Sequence, residues 1–374
     1  MSDNTLPAGW TKGFSKSTKK WYYVHAATKH TQWEFPTASQ VQQRIELTSN
    51  KKKRSNESAV DSSSRSISSS GVSASSKRPR TQGGVTATLM KGSSIAIIVP
   101  FRDIHKAQNR AAHLHKFMPH MKAFLSKLKA QGKCADYHIY IVEQSNDGRK
   151  FNRGKLLNIG FDLACKGTYQ KEKSIRKPHD VFIFHDVDLL PADRLGSYYT
   201  QVPTTPIHIA RVWDRYSNND KYFGGIVSFT KQSMRQINGY PNTFWGWGGE
   251  DDEMQKRCEA LGIQWTGPDT NDASLKNAIT DLEAMNLKEK LDFLRGHKEW
   301  KCNVKWECLN EHKMTFKKNG LSDLKYEVLK TADLDGDRKE GVEYSSRATK
   351  VTVDVLLNGN HWANEKCGID YTGY

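Results

Sequence analysis

Long apolar runs are absent from this 374-residue sequence, and its mean hydropathy is −0.72. A helix that crosses a membrane needs about 20 consecutive apolar residues, so we predict no membrane span. Residues 1–4 lack the basic start and the apolar core of a signal peptide. These two absences predict a cytoplasmic protein, or a nuclear one if a basic cluster acts as an import signal.

Cysteine is scarce and scattered. The chain has six cysteines, and none stands in a Cys-x-x-Cys pair. This spacing argues against a zinc knuckle, and in a reducing compartment it predicts free thiols.

Positive charge exceeds negative charge, with a net charge of +16. Residues 37–92 carry ten basic and three acidic side chains, and residues 1–36 carry five basic and two acidic ones, which leaves only +6 for the other 282 residues. Most of the excess positive charge therefore lies in residues 1–92, and no RNA-binding motif accompanies it. We therefore expect no nucleic-acid partner.

Aromatic residues cluster at the N-terminus, in the strings LPAGW (6–10), KWYYVH (20–25) and TQWEFP (31–36). Residues 21–25 favour a strand, and short polar stretches between the clusters predict a small antiparallel meander. The pattern resembles a WW domain, which we place at residues 5–37. The resemblance implies a groove for a polyproline-II ligand from a Pro-rich partner. Its walls would be Tyr22, Val24, Thr31 and Trp33.

The composition of residues 38–92 predicts a disordered linker. Residues 55–76 contain twelve serines and show no apolar periodicity. Basic clusters at 51–54 and 77–80 flank this stretch, and they favour either nuclear import or simple solubilising charge.

Strand and helix patterns alternate after residue 93. Strands are predicted at 95–99, 137–142 and 181–184, and helices at 105–130, with a break near Pro119, and at 156–165. This alternation is typical of an α/β domain with a mostly parallel sheet. Ligands bind beyond the carboxyl ends of strands in such sheets, and polar motifs stand there, at 100–103, 143–144 and 185–188.

Two of these motifs suggest a chemistry. Asp186 and Asp188 follow a buried strand directly, and two carboxylates on a tight turn can hold a divalent ion that clamps a diphosphate. Arg153 and Lys155 stand at the predicted start of a helix, where phosphate binds readily. Taken alone, the two cations are explained better by a solvated helix end.

The block 242–253, NTFWGWGGEDDE, is the most informative stretch. Glycines allow a close approach to a ligand, and indole faces can support a sugar ring. Four adjacent acids repel one another unless a ligand or a reaction uses them. A glycine-rich turn before a helix with an acidic first turn is the alternative, but it leaves the interleaved tryptophans unexplained.

Six motifs occur in order: PFR (100–102), FNRGKLLNIGF (151–161), HDVDLLP (185–191), YFGG (222–225), NGYPN (238–242) and FWGWGGEDDE (244–253). In these motifs the chain resembles the β-1,4-galactosyltransferase family. The resemblance implies an inverting enzyme with a GT-A fold, a Rossmann-like mixed sheet, over residues 93–374. HDVDLLP and EDDE are most similar to the branch that transfers galactose from UDP-galactose to xylose.

The resemblance also implies roles for individual residues. Asp251 would be the catalytic base, Glu250 and Asp252 would position the glycan or xyloside acceptor, and Asp188 would bind Mn²⁺ or another divalent cation. The UDP-sugar donor would contact Pro100, Phe101, Arg102, Arg153, Lys155, Asp186, Tyr222, Gly225 and Trp247.

The sequence departs from the family pattern in its metal site. The family completes this site with a histidine downstream of the acidic block, but here an insertion at 266–290 displaces that region. His297 is the best candidate, and His312 is a weaker one. Golgi members also carry an N-terminal membrane anchor, whereas this chain has a WW pattern at that end.

Three functions compete on this basis. The first is an active, metal-dependent hexosyltransferase that its WW domain directs to a Pro-rich partner. The second is a catalytically inactive scaffold with a transferase fold. The third is a nuclear adaptor that acts through its WW domain and basic linker. Intact Asp186, Asp188, Trp247 and Asp251 favour the first.

Overall fold

The chain divides into two units, Met1–Val85 and Thr86–Tyr374. The computed structural model describes residues 6–15, 20–26, 31–32, 92–167, 178–334, 347–357 and 361–367. Within these ranges, no helix combines the length and the apolar character that crossing a bilayer requires.

Three short strands form an antiparallel sheet in the first unit: β1 (Trp10–Ser15), β2 (Lys20–His25) and β3 (Thr31–Gln32). This arrangement confirms the predicted meander. Tyr22 lies over Gly13, where an added Cβ atom would come within 2.4 Å of the tyrosine ring. Val24 is paired with Thr31, so two of the predicted groove residues are neighbours, while Trp33 lies outside the described residues.

Strands and helices alternate along much of the second unit. In chain order they are β4 (Ser94–Phe101), α1 (Arg110–Ala130), β5 (Asp136–Gln144), α2 (Arg153–Lys166), β6 (Val181–His185), β7 (Leu189–Pro191), α3 (Gly196–Thr200), β8 (Ile207–His208), β9 (Ile226–Phe229), α4 (Lys231–Gln236), α5 (Glu250–Ala260), β10 (Ile279–Asp281), α6 (Leu287–Gly296), α7 (Lys305–Thr315), β11 (Glu327–Asp333), β12 (Ala348–Asp354) and α8 (Trp362–Cys367).

A seven-stranded mixed sheet lies at the centre of this unit, in the order β11-β12-β5-β4-β6-β9-β8. The four strands β12, β5, β4 and β6 are parallel to their neighbours in that group, whereas β8, β9 and β11 pair antiparallel. The three strands predicted after residue 93 fall within β4, β5 and β6. This confirms the predicted α/β architecture with a mixed sheet.

The central strand β4 is buried along its whole length. Because side chains alternate across a strand, Ile97 joins the core on one face of the sheet and Ile98 joins the core on the other. Helix α2 approaches the second face so closely that a Cβ atom on Gly160 would lie 2.3 Å from Ile98. Glycine at this position therefore fixes the depth at which α2 packs on the sheet.

Helix α1 differs from the prediction. The break expected near Pro119 is wrong, because α1 continues through this residue to Ala130. Phe117, Met121 and Leu125 are buried against the sheet on the same face of α1. Tertiary packing of this face outweighs the lost backbone hydrogen bond of the proline.

Candidate active site

A cavity of about 410 Å³ opens where β4 and β6 end and where α2 and α5 begin. This is the position at which sheets of this kind bind ligands. Asp188 and Asp251 both line this cavity, although 62 residues separate them in sequence. The predicted site residues on its wall are Pro100, Phe101, Arg102, Arg153, Asp186, Asp188, Tyr222, Trp247, Glu250, Asp251 and Asp252.

Arg153, the first residue of α2, connects two of the predicted motifs. Its guanidinium donates hydrogen bonds to Asp186 Oδ1 and to Asp251 Oδ1, each at 2.7 Å. Glu250 lies 3.4 Å from the same guanidinium. We call this group of Arg153, Asp186, Glu250 and Asp251 the Arg153 cluster.

The Arg153 cluster holds three carboxylates around one cation, and its pKa values reflect this imbalance. Burial raises the pKa of Asp251 well above its ordinary value, and Arg153 opposes this shift while Glu250 and Asp186 add to it. Burial likewise raises the pKa of Asp186 to about 6 against the pull of Arg153. A carboxylate with a raised pKa binds a proton more readily, as a general base must.

Asp251 is held from a second side by the segment that follows residue 221. A Cβ atom on Gly224 would come within 2.1 Å of Asp251 Oδ2, so only glycine leaves room for this carboxylate. Tyr222 lies beside it and stacks on Tyr216, with ring centroids 4.1 Å apart. These two rings form an apolar wall of the cavity.

Gly225 supports the site without lining the cavity. Its carbonyl accepts a hydrogen bond from the backbone of Asp186 at 2.9 Å, and its φ of +72° is one that glycine adopts readily. Gly225 therefore fixes the aspartate turn from behind, which differs from the predicted position at the donor sugar.

Trp247 stands on a loop that is fastened to residues 300–302. The backbone N–H of Trp247 donates to the backbone carbonyl of Trp300 at 2.6 Å, and the backbone carbonyl of Trp247 accepts from the N–H of Cys302 at 3.0 Å. The flanking Gly246 and Gly248 have φ values of +92° and +99°, a region of backbone conformation that residues with side chains rarely adopt. The indole remains 41% exposed, so the loop presents an aromatic face at the cavity.

The acidic block begins helix α5, with all four acids in its first turn. This position suits the helix dipole. The alternative interpretation, a glycine-rich turn before a helix with an acidic first turn, is thus correct about the helix start. The four acids nevertheless have different surroundings. Asp252 is paired with Lys305 at 2.6 Å, whereas Glu253 is buried and paired with Arg257 at 2.6 Å.

Arg102 lies in the wall of the cavity near the end of β4. Its guanidinium donates to the carbonyl of Arg149 and to Asp147. Its side chain is 5% exposed. Arg102 therefore holds residues 147–149 in place beside the cavity.

A second charged cluster surrounds Asp188. The ligand oxygens of Asp188, Asp281 and Glu283 all lie within 4.8 Å of one another. Three cations pair with them: Arg110 bridges Asp188 and Glu283, Arg215 bridges Asp281 and Glu283, and Lys290 pairs with Glu283. We call these six residues the Glu283 cluster.

Cations match carboxylates in number in the Glu283 cluster. Burial opposes ionisation of Asp188, but Arg110 holds its pKa far below the ordinary value. Arg110 and Lys290 lower the pKa of Glu283 against both burial and the charge of Asp188. Asp281 is the exception, because burial outweighs Arg215 and raises its pKa to about 6.

Besides Gly225, two predicted residues lie away from the cavity wall. Lys155 is 1% exposed and donates to the backbone carbonyl of Leu356, and burial lowers its pKa to about 7. His297 stacks face to face on Trp300, a cavity-lining residue, with ring centroids 3.9 Å apart. The structure does not bring either side chain to the cavity wall, and their roles at the nucleotide and at the metal stay predictions.

The Glu283 cluster was missed in the sequence, except for Asp188. Asp281 and Glu283 belong to the segment interpreted as an insertion, yet they form a second acid-x-acid pair. That spacing was an available signal. Arg110 and Arg215 stand in no recognisable motif, and only the fold brings them to the cavity.

Comparisons with known proteins agree with this arrangement. A family model described as the N-terminal region of glycosyl transferase group 7 matches residues 46–201, and one described as the N-terminal domain of galactosyltransferase matches residues 204–279. A WW domain model matches residues 6–36.

Curated relatives match more than half of this chain. β-1,4-Galactosyltransferase 1 of Mus musculus is 31% identical over 264 residues, which are 70% of this chain and 54% of the mouse protein. β-1,4-Galactosyltransferase 7 of Drosophila melanogaster is 32% identical over 245 residues, which are 64% of this chain and 65% of the fly protein. The chain thus spans between about half and two thirds of the length of these relatives.

Two solved structures share the fold. One is a mutant of Drosophila β-1,4-galactosyltransferase 7 in complex with manganese, UDP-Gal and xylobiose, at 29% identity and a TM-score of 0.51. The other is the catalytic domain of that enzyme with xylobiose, at 28% identity and a TM-score of 0.50. Each match covers 72% of this chain and 96% of the solved chain. With its motifs gathered at one cavity, and with a WW domain at its N-terminus, the chain belongs to the β-1,4-galactosyltransferase family.

Proposed function

We propose that this protein is a metal-dependent inverting glycosyltransferase that transfers galactose from UDP-galactose to a sugar hydroxyl. The observation that supports this most strongly is the shared cavity of Asp188 and Asp251. A donor held at the aspartate turn would present its anomeric carbon to an acceptor hydroxyl beside Asp251. Direct displacement of UDP by an acceptor hydroxyl requires the aspartate turn with Asp188 and the acidic block with Asp251 to meet at one site.

Asp251 acts as the general base in this proposal. It takes the proton of the acceptor hydroxyl while that oxygen forms a bond to the anomeric carbon of galactose. The bond between this carbon and the diphosphate breaks, UDP leaves with the bonding electrons, and the configuration inverts. One well-placed carboxylate suffices for this chemistry, and Arg153 orients it through the 2.7 Å hydrogen bond.

The site fits a divalent cation such as Mn²⁺. Carboxylate oxygens are the donors that Mn²⁺ and Mg²⁺ prefer, and Asp188 offers one in a group of three carboxylates. When bound, the cation would supply charge neutralisation for the UDP leaving group. Asp188 would hold it directly.

The acceptor would lie between the tryptophan loop and the start of α5. Trp247 offers an aromatic face for a sugar ring, and Asp252, paired with Lys305, offers an oxygen to its hydroxyls. A xyloside is the first acceptor to test, since a solved family member binds xylobiose.

The WW domain would direct the enzyme to a Pro-rich partner. Tyr22 and Val24 stand two residues apart on β2 and so share one face of the small sheet. Val24 pairs with Thr31. An aromatic and aliphatic face of this kind suits a polyproline-II ligand.

The test is a transfer assay with the full chain, UDP-[³H]galactose, Mn²⁺ and a xyloside or glucosamine acceptor. Labelled product that disappears with Asp251→Asn supports the enzyme. No product, together with no Mn²⁺-dependent UDP binding in calorimetry, would refute it and favour the scaffold.

A further inference from the structure

The tryptophan loop, residues 244–249, contains two tryptophans in opposite surroundings. Trp245 is fully buried, whereas Trp247 is 41% exposed at the cavity. Gly246 and Gly248 both have positive φ values, and glycine gives the backbone little conformational preference of its own. The position of Trp247 therefore depends on how the buried end of the loop is anchored.

The indole of Trp245 is held by the C-terminal helix α8. Its Nε1–H donates a hydrogen bond to Asn364 Oδ1 at 3.2 Å, and Asn364 is 7% exposed. A buried indole usually has such a partner, because a buried donor that is left unpaired costs free energy. The bond joins residues 119 positions apart, and α8 belongs to none of the six sequence motifs.

Helix α8 is fastened to the fold at other points as well. Ala363 is fully buried in the same hydrophobic core as Trp245. The Nε1–H of Trp362 donates to Glu311 Oε1 on α7 at 2.6 Å. Asn364 is therefore presented to the tryptophan loop from a fixed support.

We propose that Asn364 is a positioning residue for the acceptor: through the indole of Trp245, it holds the tryptophan loop where Trp247 can support the acceptor sugar. The proposal rests on the proposed function, which places the acceptor beside this loop. Donor binding should not depend on Asn364, because Asp188 and Arg153 belong to the two charged clusters, and neither cluster includes a residue of α8.

A purely structural hydrogen bond would have the same geometry but predicts different kinetics. If Asn364 only stabilises the fold, Asn364→Leu lowers the melting temperature and leaves the KM for the acceptor unchanged. If Asn364 positions the loop, the KM for a xyloside acceptor rises by about three- to tenfold, the change expected for one buried hydrogen bond. The KM for UDP-galactose then stays at the wild-type value.

A double-mutant cycle tests whether Asn364 acts through Trp245. Trp245→Phe removes the indole N–H but keeps an aromatic ring in the core, so it should raise the acceptor KM at least as much as Asn364→Leu. The double variant should be no worse than Trp245→Phe alone, because both substitutions break the same bond.

The matched control is Tyr326→Phe. It removes a 2.6 Å hydrogen bond to Asp162 beside the same hydrophobic core. This variant should lose stability, as Asn364→Leu does, but it should leave the KM values for both substrates unchanged.

Hydrogen exchange of the full chain measures the loop without any substrate. The backbone N–H groups of Gly246 and Trp247 donate to the carbonyls of Phe151 and Trp300, at 2.8 and 2.6 Å. Asn364→Leu should speed exchange of these two amides by about three- to tenfold, since local opening sets their protection. The amides of the central strand β4 should keep their protection.

The outcomes separate the inference from the proposed function. A wild-type chain that transfers no sugar overturns both. Wild-type transfer with an acceptor KM that Asn364→Leu leaves unchanged, or with effects that multiply in the double variant, overturns the inference alone. An equal rise in the KM for UDP-galactose does the same. If Asn364→Leu is unfolded, Trp245→Phe decides, and an unchanged acceptor KM or unchanged exchange at Gly246 and Trp247 in that variant refutes the proposal.

Discussion

The two charged clusters of the cavity contain the same number of carboxylates but different numbers of cations. In the Arg153 cluster, one guanidinium serves Asp186, Glu250 and Asp251. In the Glu283 cluster, three cations serve three carboxylates. Burial raises the pKa of Asp251 despite the opposing charge of Arg153, whereas Arg110 lowers the pKa of Asp188 against the effect of burial.

This difference divides the chemistry between the clusters. A carboxylate that lacks full compensation has a higher affinity for a proton and suits a base. A carboxylate that neighbouring cations compensate, such as Asp188 beside Arg110, stays ionised. The number of positive charges within reach therefore distinguishes Asp251 from Asp188, which line one cavity, although the pKa of Asp281 in the Glu283 cluster is also raised.

Replacing the base should produce the largest effect. Asp251→Asn keeps the size of the side chain but cannot accept the acceptor proton, so kcat/KM should fall by about 10²- to 10⁴-fold. Initial rates of galactose transfer measure this loss. Affinity for Mn²⁺ and UDP should remain near that of the wild type, and a loss of both would show that Asp251 maintains the site.

Replacing Glu283 should destabilise the fold more than replacing Glu250. Glu283→Gln leaves buried cations without their shared partner, which should lower the free energy of unfolding by about 3 kcal/mol or more. Glu250→Gln relieves repulsion within the Arg153 cluster and should cost less than about 1 kcal/mol. Urea unfolding of the two variants, measured side by side, tests this difference, and equal losses would contradict it.

The acid limb of the pH–rate profile should move in opposite directions for two variants of the Arg153 cluster. The base is active when ionised, so activity is lost as the pH falls through its pKa. Glu250→Gln removes a charge that raises the pKa of Asp251, and the limb should shift to lower pH. Arg153→Met removes a charge that lowers this pKa, and the limb should shift to higher pH.

Profiles of kcat against pH for both variants, with Lys127→Met as a surface control, provide the measurement. If the acid limbs of Glu250→Gln and Arg153→Met shift in the same direction, Asp251 is not the titrating base.

The smallest effect should come from the partly exposed pair of Lys305 and Asp252. Their side chains are 26% and 46% exposed, so Lys305→Met should change stability by less than about 1 kcal/mol. Because Asp252 faces the proposed acceptor site, the KM for the acceptor should change while the KM for UDP-galactose does not. Steady-state kinetics with each substrate varied in turn distinguish the two, and a change confined to the donor KM would place this pair elsewhere.

The members of the Arg153 cluster, though not their pairing with one another, could be named from the sequence through its motifs and the resemblance that they carry. Asp186 and Asp188 follow a strand with an unmistakable apolar pattern, and Glu250 and Asp251 follow a distinctive run of tryptophan and glycine. Short motifs of this kind specify their own local geometry through turn and helix-start preferences. The fold class followed from the same alternation of strands and helices.

The Glu283 cluster depends instead on contacts between distant parts of the chain. Arg110 lies 173 residues before Glu283, its partner at 2.7 Å, and β10 reaches the aspartate turn only by pairing with β7. No local pattern encodes such a pairing. The directions of the Lys155 and His297 side chains depend on distant contacts in the same way, with Leu356 and Trp300 respectively.

Mn²⁺ binding in the presence of UDP, compared between Asp188→Asn and Asp251→Asn, tests the division between the clusters most directly. Both variants should lose transfer activity, but only Asp188→Asn should lose Mn²⁺ affinity in electron paramagnetic resonance titrations. Retention of Mn²⁺ by Asp188→Asn, or its loss in Asp251→Asn, would contradict the account.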